Sequence, residues 1–299
     1  MTELQSKDVT PAPAEGGTPW ALDDLPPFPA VAAQILQLVS KDDINLCEVG
    51  TLIGADPVFA ADVLQIANSA LFAISFHVRT IPHAIAVLGI ERVKALALTR
   101  ALGRYLAPAL KVQALRRCWQ HSLAGAILAE RLARTCGIDR ELAYTAGLLR
   151  DIGRLALLVK YPQPYANMLF VTQEHGFDLL ATERDLFDVD HCQAGYWLAE
   201  KMQLPPELCE VVSRHHEDST DAPFGLVQLA HVADLMSDAL GFGVFSLVEP
   251  PSFDGVLEHL PEPVRRGFSQ ASSGGNGAGQ LRAELASKMQ FLCPDSKAA

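Results

Sequence analysis

The sequence predicts an all-α protein. Two observations carry that prediction. Apolar residues recur at helical spacing through most of the chain, and residues that open and close helices punctuate the pattern. Alternating strand-like runs are scarce; Leu157 to Lys160 is one short segment compatible with a strand.

Residues 1 to about 24 are rich in Pro, Ala, Gly, Thr and Asp without periodicity, the composition of a flexible tail. A first helical block is expected from residue 25 to about 105. Asp56-Pro57 opens one helix there, because Asp suits the N-cap and Pro the first turn. Val58, Val63, Leu64, Ile66 and Ala67 form its apolar stripe. Pro82 begins another, with Ala84, Ile85 and Leu88 on one side and a stop at Gly89; Val93, Leu96 and Ala97 continue the next.

A second block covers residues 106–245, its helical pattern running from about Lys111 to Phe245. Its first helix carries Arg116, Arg117, Gln120, Arg131 and Arg134 on one face. His121 lies off that face beside Ala124, Gly125 and Leu128, at the edge of the buried arc with small neighbours around it. Two packed blocks would leave a cleft between them for a ligand or a partner helix. Residues 246–299 read as a linker and a short helix. Pro250, Pro251, Pro261 and Pro263 precede the run Ser272, Ser273, Gly274, Gly275. Then Leu281, Leu285, Met289 and Leu292 recur at helical spacing, to pack back on the body or pair with a partner.

The 299 residues are 49% hydrophobic and 20% charged, a globular balance. A net charge of -11 repels phosphate backbones and anionic lipid, so neither nucleic acid nor membrane is an expected partner. Cys47, Cys118, Cys136, Cys192, Cys209 and Cys293 form no C-x-x-C pair and read as free thiols of a reducing compartment. With no basic-then-apolar leader and no run of about 18 apolar residues, the expected location is the cytoplasm.

Metal-capable side chains gather in the second block: His121, Asp151 in Gly147-Leu148-Leu149-Arg150-Asp151-Ile152-Gly153, Asp190-His191, His215-His216-Glu217, and His231 with Asp234. Imidazole and carboxylate together suit Mn, Fe or Zn ions that activate water. Each residue also has a plainer role: His121 as a hydrogen-bonded core residue, Asp151 as a helix cap, His215-His216 as a solvated helix end.

The order His121, the Asp151 segment, Asp190-His191, His215-His216-Glu217 and Asp234 resembles the HD superfamily of metal phosphohydrolases. The resemblance maps that family's His, His-Asp and distant Asp onto His121, position 150 with Asp151, and Asp234. It likens His191, His215 and His216 to the further ligands of binuclear members that cleave cyclic dinucleotides. The first block narrows the resemblance to HDOD domains: Leu25-Pro26-Pro27-Phe28-Pro29, Asp56-Pro57, Leu64-Gln65-Ile66-Ala67-Asn68-Ser69-Ala70 and Ala84-Ile85-Ala86-Val87-Leu88-Gly89 each resemble an HDOD motif. The resemblance spans about Leu25 to Leu240 and implies a helical bundle packed on an HD-like bundle.

Position 150 departs from the enzymes: it is Arg where they have His. A guanidinium has no lone pair to donate and stays protonated, so it opposes a cation at that place. The Gly-Tyr-Pro loop of the cyclic-di-GMP enzymes is also absent, the nearest Gly-Tyr being Gly195-Tyr196. The expected function is therefore a non-catalytic signalling output module, with no cofactor and a degenerate site of His121, Arg150, Asp151, His191, His215, His216 and Asp234. If an ion binds at all, the candidate ligands are His121, Asp151, His191, His215 and Asp234. The expected partners are other bacterial signalling proteins met in trans, among them kinases and diguanylate cyclases or phosphodiesterases. Two rivals are a metal-dependent phosphohydrolase of nucleotides or cyclic dinucleotides, and a sensor in which Arg150 holds an anion. A plainer role for Arg150 is to pair with Asp151 or Asp234.

Overall fold

The computed structural model describes residues 19–23, 25, 30–39, 46–217, 224–245, 251–271 and 277–292. Most of the expected tail, residues 26–29 of the proline-rich opening, and the Ser/Gly run lie outside the described residues. Those described form sixteen α-helices and two short 3-10 turns, with no strand among them.

The first block comprises α1 (Ala30–Val39), α2 (Leu46–Gly54), α3 (Pro57–Ala67), α4 (Ile81–Leu88) and α5 (Ile90–Leu106). Helix α5 is its spine, packed by α1, α3 and α4. Asp56 caps α3 as expected, its carboxylate accepting from the amides of Val58 (2.9 Å) and Phe59 (3.0 Å). The α3 stripe is phased differently from expectation: Phe59, Val63, Ile66 and Ala67 are buried, while Val58 is 62% exposed. Val58 sits one position, about 100° of helix rotation, from Phe59. Thr80 caps α4, so Pro82 falls in its first turn rather than at its start. Gly89, at φ 86°, stops α4 and admits the turn into α5. The segment between α3 and α4 is tied down by Asn68. Its amide nitrogen donates to the carbonyls of Leu64 (2.8 Å) and Val78 (2.7 Å), and its oxygen accepts from Val78 N (2.7 Å).

The second block is built on α6 (Gln113–Cys136), followed by α7 (Arg140–Leu149), α8 (Ile152–Lys160), α9 (Pro162–His175), α10 (Leu179–Phe187), α11 (His191–Lys201), α12 (Pro206–Arg214) and α13 (Leu226–Ala239). The strand-compatible Leu157–Lys160 segment ends α8. Continuous neighbours along α8 bury Leu155, Leu157 and Leu158, so helix packing overrides the short β-like run. Helices α7 and α13 flank α6, and α8 packs on α11.

Beyond them come α14 (Phe253–Leu257), α15 (Glu262–Ala271) and α16 (Gly277–Leu292). The stretch near 249–280, read from composition as a loose connection, thus holds two helices. Pro261 precedes α15 and Pro263 lies in its first turn, where proline is tolerated. Helix α16 packs back on α6: Leu281, Leu285, Met289 and Leu292 are buried, and Arg131 pairs with Glu284 at 2.7 Å.

The two blocks are clamped at α5 and α6. Arg92 donates twice to Glu130 (3.1 and 2.7 Å) and lies 2.9 Å from Glu141. Burial raises the Glu130 pKa, but Arg92 and Arg140 outweigh it and bring it to about 2. A shallow groove of about 540 Å³ lies within the first block, lined by α3 and residues 77–79. No helix among the described residues is long and apolar enough to cross a membrane alone. No disulfide joins the five described cysteines.

Candidate functional site

The sequence-selected residues converge. Helix α6 supplies His121, the α7–α8 junction Arg150 and Asp151, the start of α11 His191, the end of α12 His215 and His216, and α13 Asp234. Two close helix contacts bring them together. A Cβ at Gly147 would lie 2.8 Å from the Ala126 Cα, so α7 sits backbone-to-backbone on α6. A Cβ at Gly153 would lie 2.1 Å from the His191 carbonyl oxygen, so α8 crosses α11 equally closely and sets Asp151 beside His191.

Arg150 is fully buried. Its Nε donates to Asp234 Oδ1 (2.9 Å), Nη1 to the Gly147 carbonyl (2.6 Å) and Nη2 to the His121 carbonyl (3.2 Å). Nη2 also lies 2.9 Å from Asp234 Oδ1 and 3.3 Å from Asp151 Oδ2. The seat exists because residue 125 is glycine: a Cβ there would stand 2.1 Å from Arg150 Nη1. His121 Nε2 lies 2.7 Å from the same Asp234 oxygen, and its Nδ1 3.2 Å from the Phe242 carbonyl. Burial acts to raise the Asp234 carboxyl, but His121 and Arg150 hold it well below the usual range.

Asp151 stands at the N-cap position of α8, yet its side chain caps nothing. It lies at the centre of the cluster. Arg154 Nη2 is 3.3 Å away, and the Nε2 atoms of His191 and His215 are each 3.6 Å from its Oδ1. Both carboxylate oxygens and His215 Nε2 are buried without a hydrogen-bond partner. Burial opposes ionisation of Asp151, but Arg154 and Arg150 keep its pKa well below the ordinary value.

His191 Nδ1 lies 2.6 Å from Glu183 Oε2, which also accepts from the His191 amide at 2.8 Å. Tyr165 donates to the other Glu183 oxygen. His191 Nε2 is 3.0 Å from both His216 Nε2 and Arg154 Nη2. Burial and Arg154 push the imidazole down, but Glu183 prevails and raises it to about 10. His215 Nδ1 faces the Val212 carbonyl at 3.1 Å, and burial lowers its pKa despite Asp151. His231, also a candidate, instead holds the His215 backbone: its Nδ1 lies 2.9 Å from the His215 carbonyl oxygen.

Several members of the cluster carry no signal in the candidate list. Gly125 looks like a small neighbour and Tyr165 like a core aromatic. Glu183 sits in an ordinary amphipathic helix, although it is fully buried. Arg154 had a usable signal: an arginine inside Ile152-Gly153-Arg154-Leu155-Ala156-Leu157, three residues from Asp151, has to be paired when buried. Asp238, 3.7 Å from His121 Nδ1, completes the rim.

These donors fall into two sets with different capacities for a metal ion. His121, Asp151 and Asp234 are close enough to share one. They do not fit it, because Arg150 occupies the space and two of its nitrogens already lie on Asp234 Oδ1. The second set gathers His191, Cys192, His215 and His216, with Asp151 beside it. Here the orphaned donors fit an ion. It would act as a Lewis acid there.

The HDOD domain model matches residues 25–218. The chain belongs to the HDOD family. An uncharacterised protein of Treponema pallidum (strain Nichols) is 24% identical over 197 residues, 65% of this HDOD chain but 38% of that longer protein. Among crystal structures, an HDOD domain protein of unknown function from Geobacter sulfurreducens is similar with TM-score 0.68 and 24% identity, covering 92% of this chain and 93% of that one. A protein of Shewanella amazonensis SB2B, provisionally named a phosphohydrolase, has TM-score 0.61 and 22% identity over 93% and 96% of the two chains. One from Marinobacter aquaeolei VT8, provisionally named a signal transduction protein, has TM-score 0.66 and 21% identity over 90% of this chain and 60% of that one. At these identities the structural likeness establishes the shared helical fold.

Proposed function

We propose that this HDOD protein is a non-catalytic bacterial signal-transduction output module that works in the cytoplasm by binding other signalling proteins, such as kinases or the enzymes that make and cleave cyclic dinucleotides. The observation that carries this reading is the seat of Arg150. Its guanidinium fills the space among His121, Asp151 and Asp234, so a pair of ions cannot clamp and cleave a phosphodiester there. The name given to the Marinobacter protein agrees with a signalling role.

The phosphohydrolase alternative draws on the name of the Shewanella protein, but it needs the ion that Arg150 displaces. The anion-sensor alternative needs free guanidinium donors. Arg150 spends Nε, Nη1 and Nη2 inside the protein and has no exposed surface, which favours internal pairing. The test is turnover of cyclic-di-GMP and of a simple phosphodiester with Mn, Mg or Fe supplied. No hydrolysis above the metal-only blank is expected. Turnover that disappears in Asp151→Asn would overturn the reading.

A further inference from the structure

Helix α3 is apolar all round. Of residues Pro57–Ala67 only Asp62 and Gln65 are polar, and Asp62 is taken by Arg100 at 3.2 Å. Phe59, Val63, Ile66 and Ala67 face the core and account for one side. The other side carries Val58, 62% exposed, then exposed Ala61, half-buried Leu64, exposed Gln65 and half-buried Asn68. These positions recur at steps of three and four, so they form one stripe. A surface helix ordinarily turns charge outward, whereas α3 turns mostly apolar side chains outward. Such an uncovered stripe marks an interaction site.

The stripe forms one wall of the groove in the first block, and residues 77–79 form the other. Asn68 holds the second wall in place through its two bonds to Val78, each 2.7 Å. Val78 is buried, while His77 and Arg79, exposed on either side of it, rim the groove. Among the described residues Arg79 makes no ion pair, in a chain with 35 acidic and 24 basic side chains. An uncompensated guanidinium thus stands at the edge of an apolar groove on an acidic protein. Next to this rim, Phe76 is 53% exposed and is held by stacking on His83, with ring centroids 5.6 Å apart.

We propose that this groove docks an amphipathic helix of a partner protein, which lays apolar side chains at i, i+3, i+4 and i+7 on the α3 stripe and brings a carboxylate to Arg79; this rests on the partner-binding reading given above. From Val58 to Asn68 the stripe runs about 15 Å, room for about three helical turns. A helical occupant is favoured because ridges at three- and four-residue spacing on α3 interlock with those of another helix. The stripe supplies contact area, while Arg79 sets orientation and selects acidic over basic helices. A second copy fits less well, since a two-fold pairing sets groove on groove and guanidinium near guanidinium. The net charge of -11 disfavours an anionic membrane.

The test uses the full chain and two fluorescein-labelled helical peptides of about 14 residues. Both carry leucine at i, i+3, i+4 and i+7; one has glutamate beside the leucines and the other lysine. In fluorescence anisotropy the glutamate peptide should bind wild type saturably and about tenfold more tightly than the lysine peptide. Arg79→Glu should reverse that preference. Val58→Gln should weaken the glutamate peptide about tenfold, because a buried amide replaces an apolar contact. Both variants should keep the wild-type melting temperature, since both positions are exposed. No saturable binding, equal binding of the two peptides, or a preference that survives Arg79→Glu would each overturn the proposal. So would binding to phosphatidylcholine vesicles, or self-association in analytical ultracentrifugation, that Val58→Gln abolishes; the stripe would then belong to lipid or to a second copy. Absent peptide binding without phosphodiester turnover leaves the non-catalytic reading standing, and turnover defeats that reading whatever the peptides do. The two failures are therefore distinct.

Discussion

Substituting Gly125→Ala should be strongly destabilising, and only while Arg150 is present. The added Cβ would lie 2.1 Å from Arg150 Nη1 and 2.6 Å from its Cζ. The guanidinium must leave, and its bonds to Asp234, Gly147 and His121 break together. Breaking a buried ion pair costs about 3–5 kcal/mol. Alanine returns about 1 kcal/mol of helix propensity in the middle of α6. The net expectation is a loss of about 2–4 kcal/mol, read from urea unfolding followed by far-UV circular dichroism. Arg150→Ala alone should lose about 3–5 kcal/mol, because Asp151 and Asp234 keep their charge without that partner. In that background Gly125→Ala meets an emptied seat and should be neutral or stabilising by up to about 1 kcal/mol. The two substitutions are thus strongly non-additive. A double variant that loses the sum of the two single effects would refute the claim that Gly125 exists to admit the guanidinium.

Acid should destabilise the fold from near neutrality. His215 has a folded pKa below its unfolded value of about 6.5, so its contribution is complete above that pH and is lost as pH falls below it. The depressed Asp151, Asp234 and Glu183 carboxyls then lose theirs at lower pH, below their unfolded values. His191 runs the other way: its stabilisation is complete below about 6.5 and lost as pH rises through about 10. Urea midpoints should therefore fall between pH 7 and 5, and His215→Gln should flatten that slope; an unchanged slope would count against a neutral buried His215. Asn68→Ala removes three hydrogen bonds and should cost about 1–3 kcal/mol. Amide exchange at Val78 should accelerate with it, and undiminished protection there would show that the loop is held by something else.

The fold was legible where periodicity and caps agree. Asp56-Pro57, Gly89 and the spacing of Leu281, Leu285, Met289 and Leu292 mark real helix features. Periodicity misjudged the phase of α3, since one residue decides whether Val58 or Phe59 faces the core. It also missed α14 and α15, because prolines at helix starts resemble prolines in loops. All seven positions of the candidate site do converge. What the sequence withheld is which oxygen each charge faces. Nothing local says that Glu183 orients His191, or that Gly125 is the space for a side chain 25 positions away, because both relations arise only when α6, α8, α10 and α11 pack.

Arg150 is also a different kind of cation from an ion. A divalent ion has its own solvation and leaves when a chelator competes, whereas a guanidinium on the α7–α8 junction stays bonded to the chain at every concentration. It brings one charge to a place bordered by Asp151 and Asp234, so it neutralises only part of their charge and leaves room for Arg154 or an ion on the other side of Asp151. It polarises no water, because each of its nitrogens is already donating to protein oxygen. Its bonds instead tie α6, through the His121 carbonyl, to α7 through the Gly147 carbonyl and to α13 through Asp234. The chemistry of this position is therefore that of a three-helix cross-link, made by one side chain that the chain itself supplies.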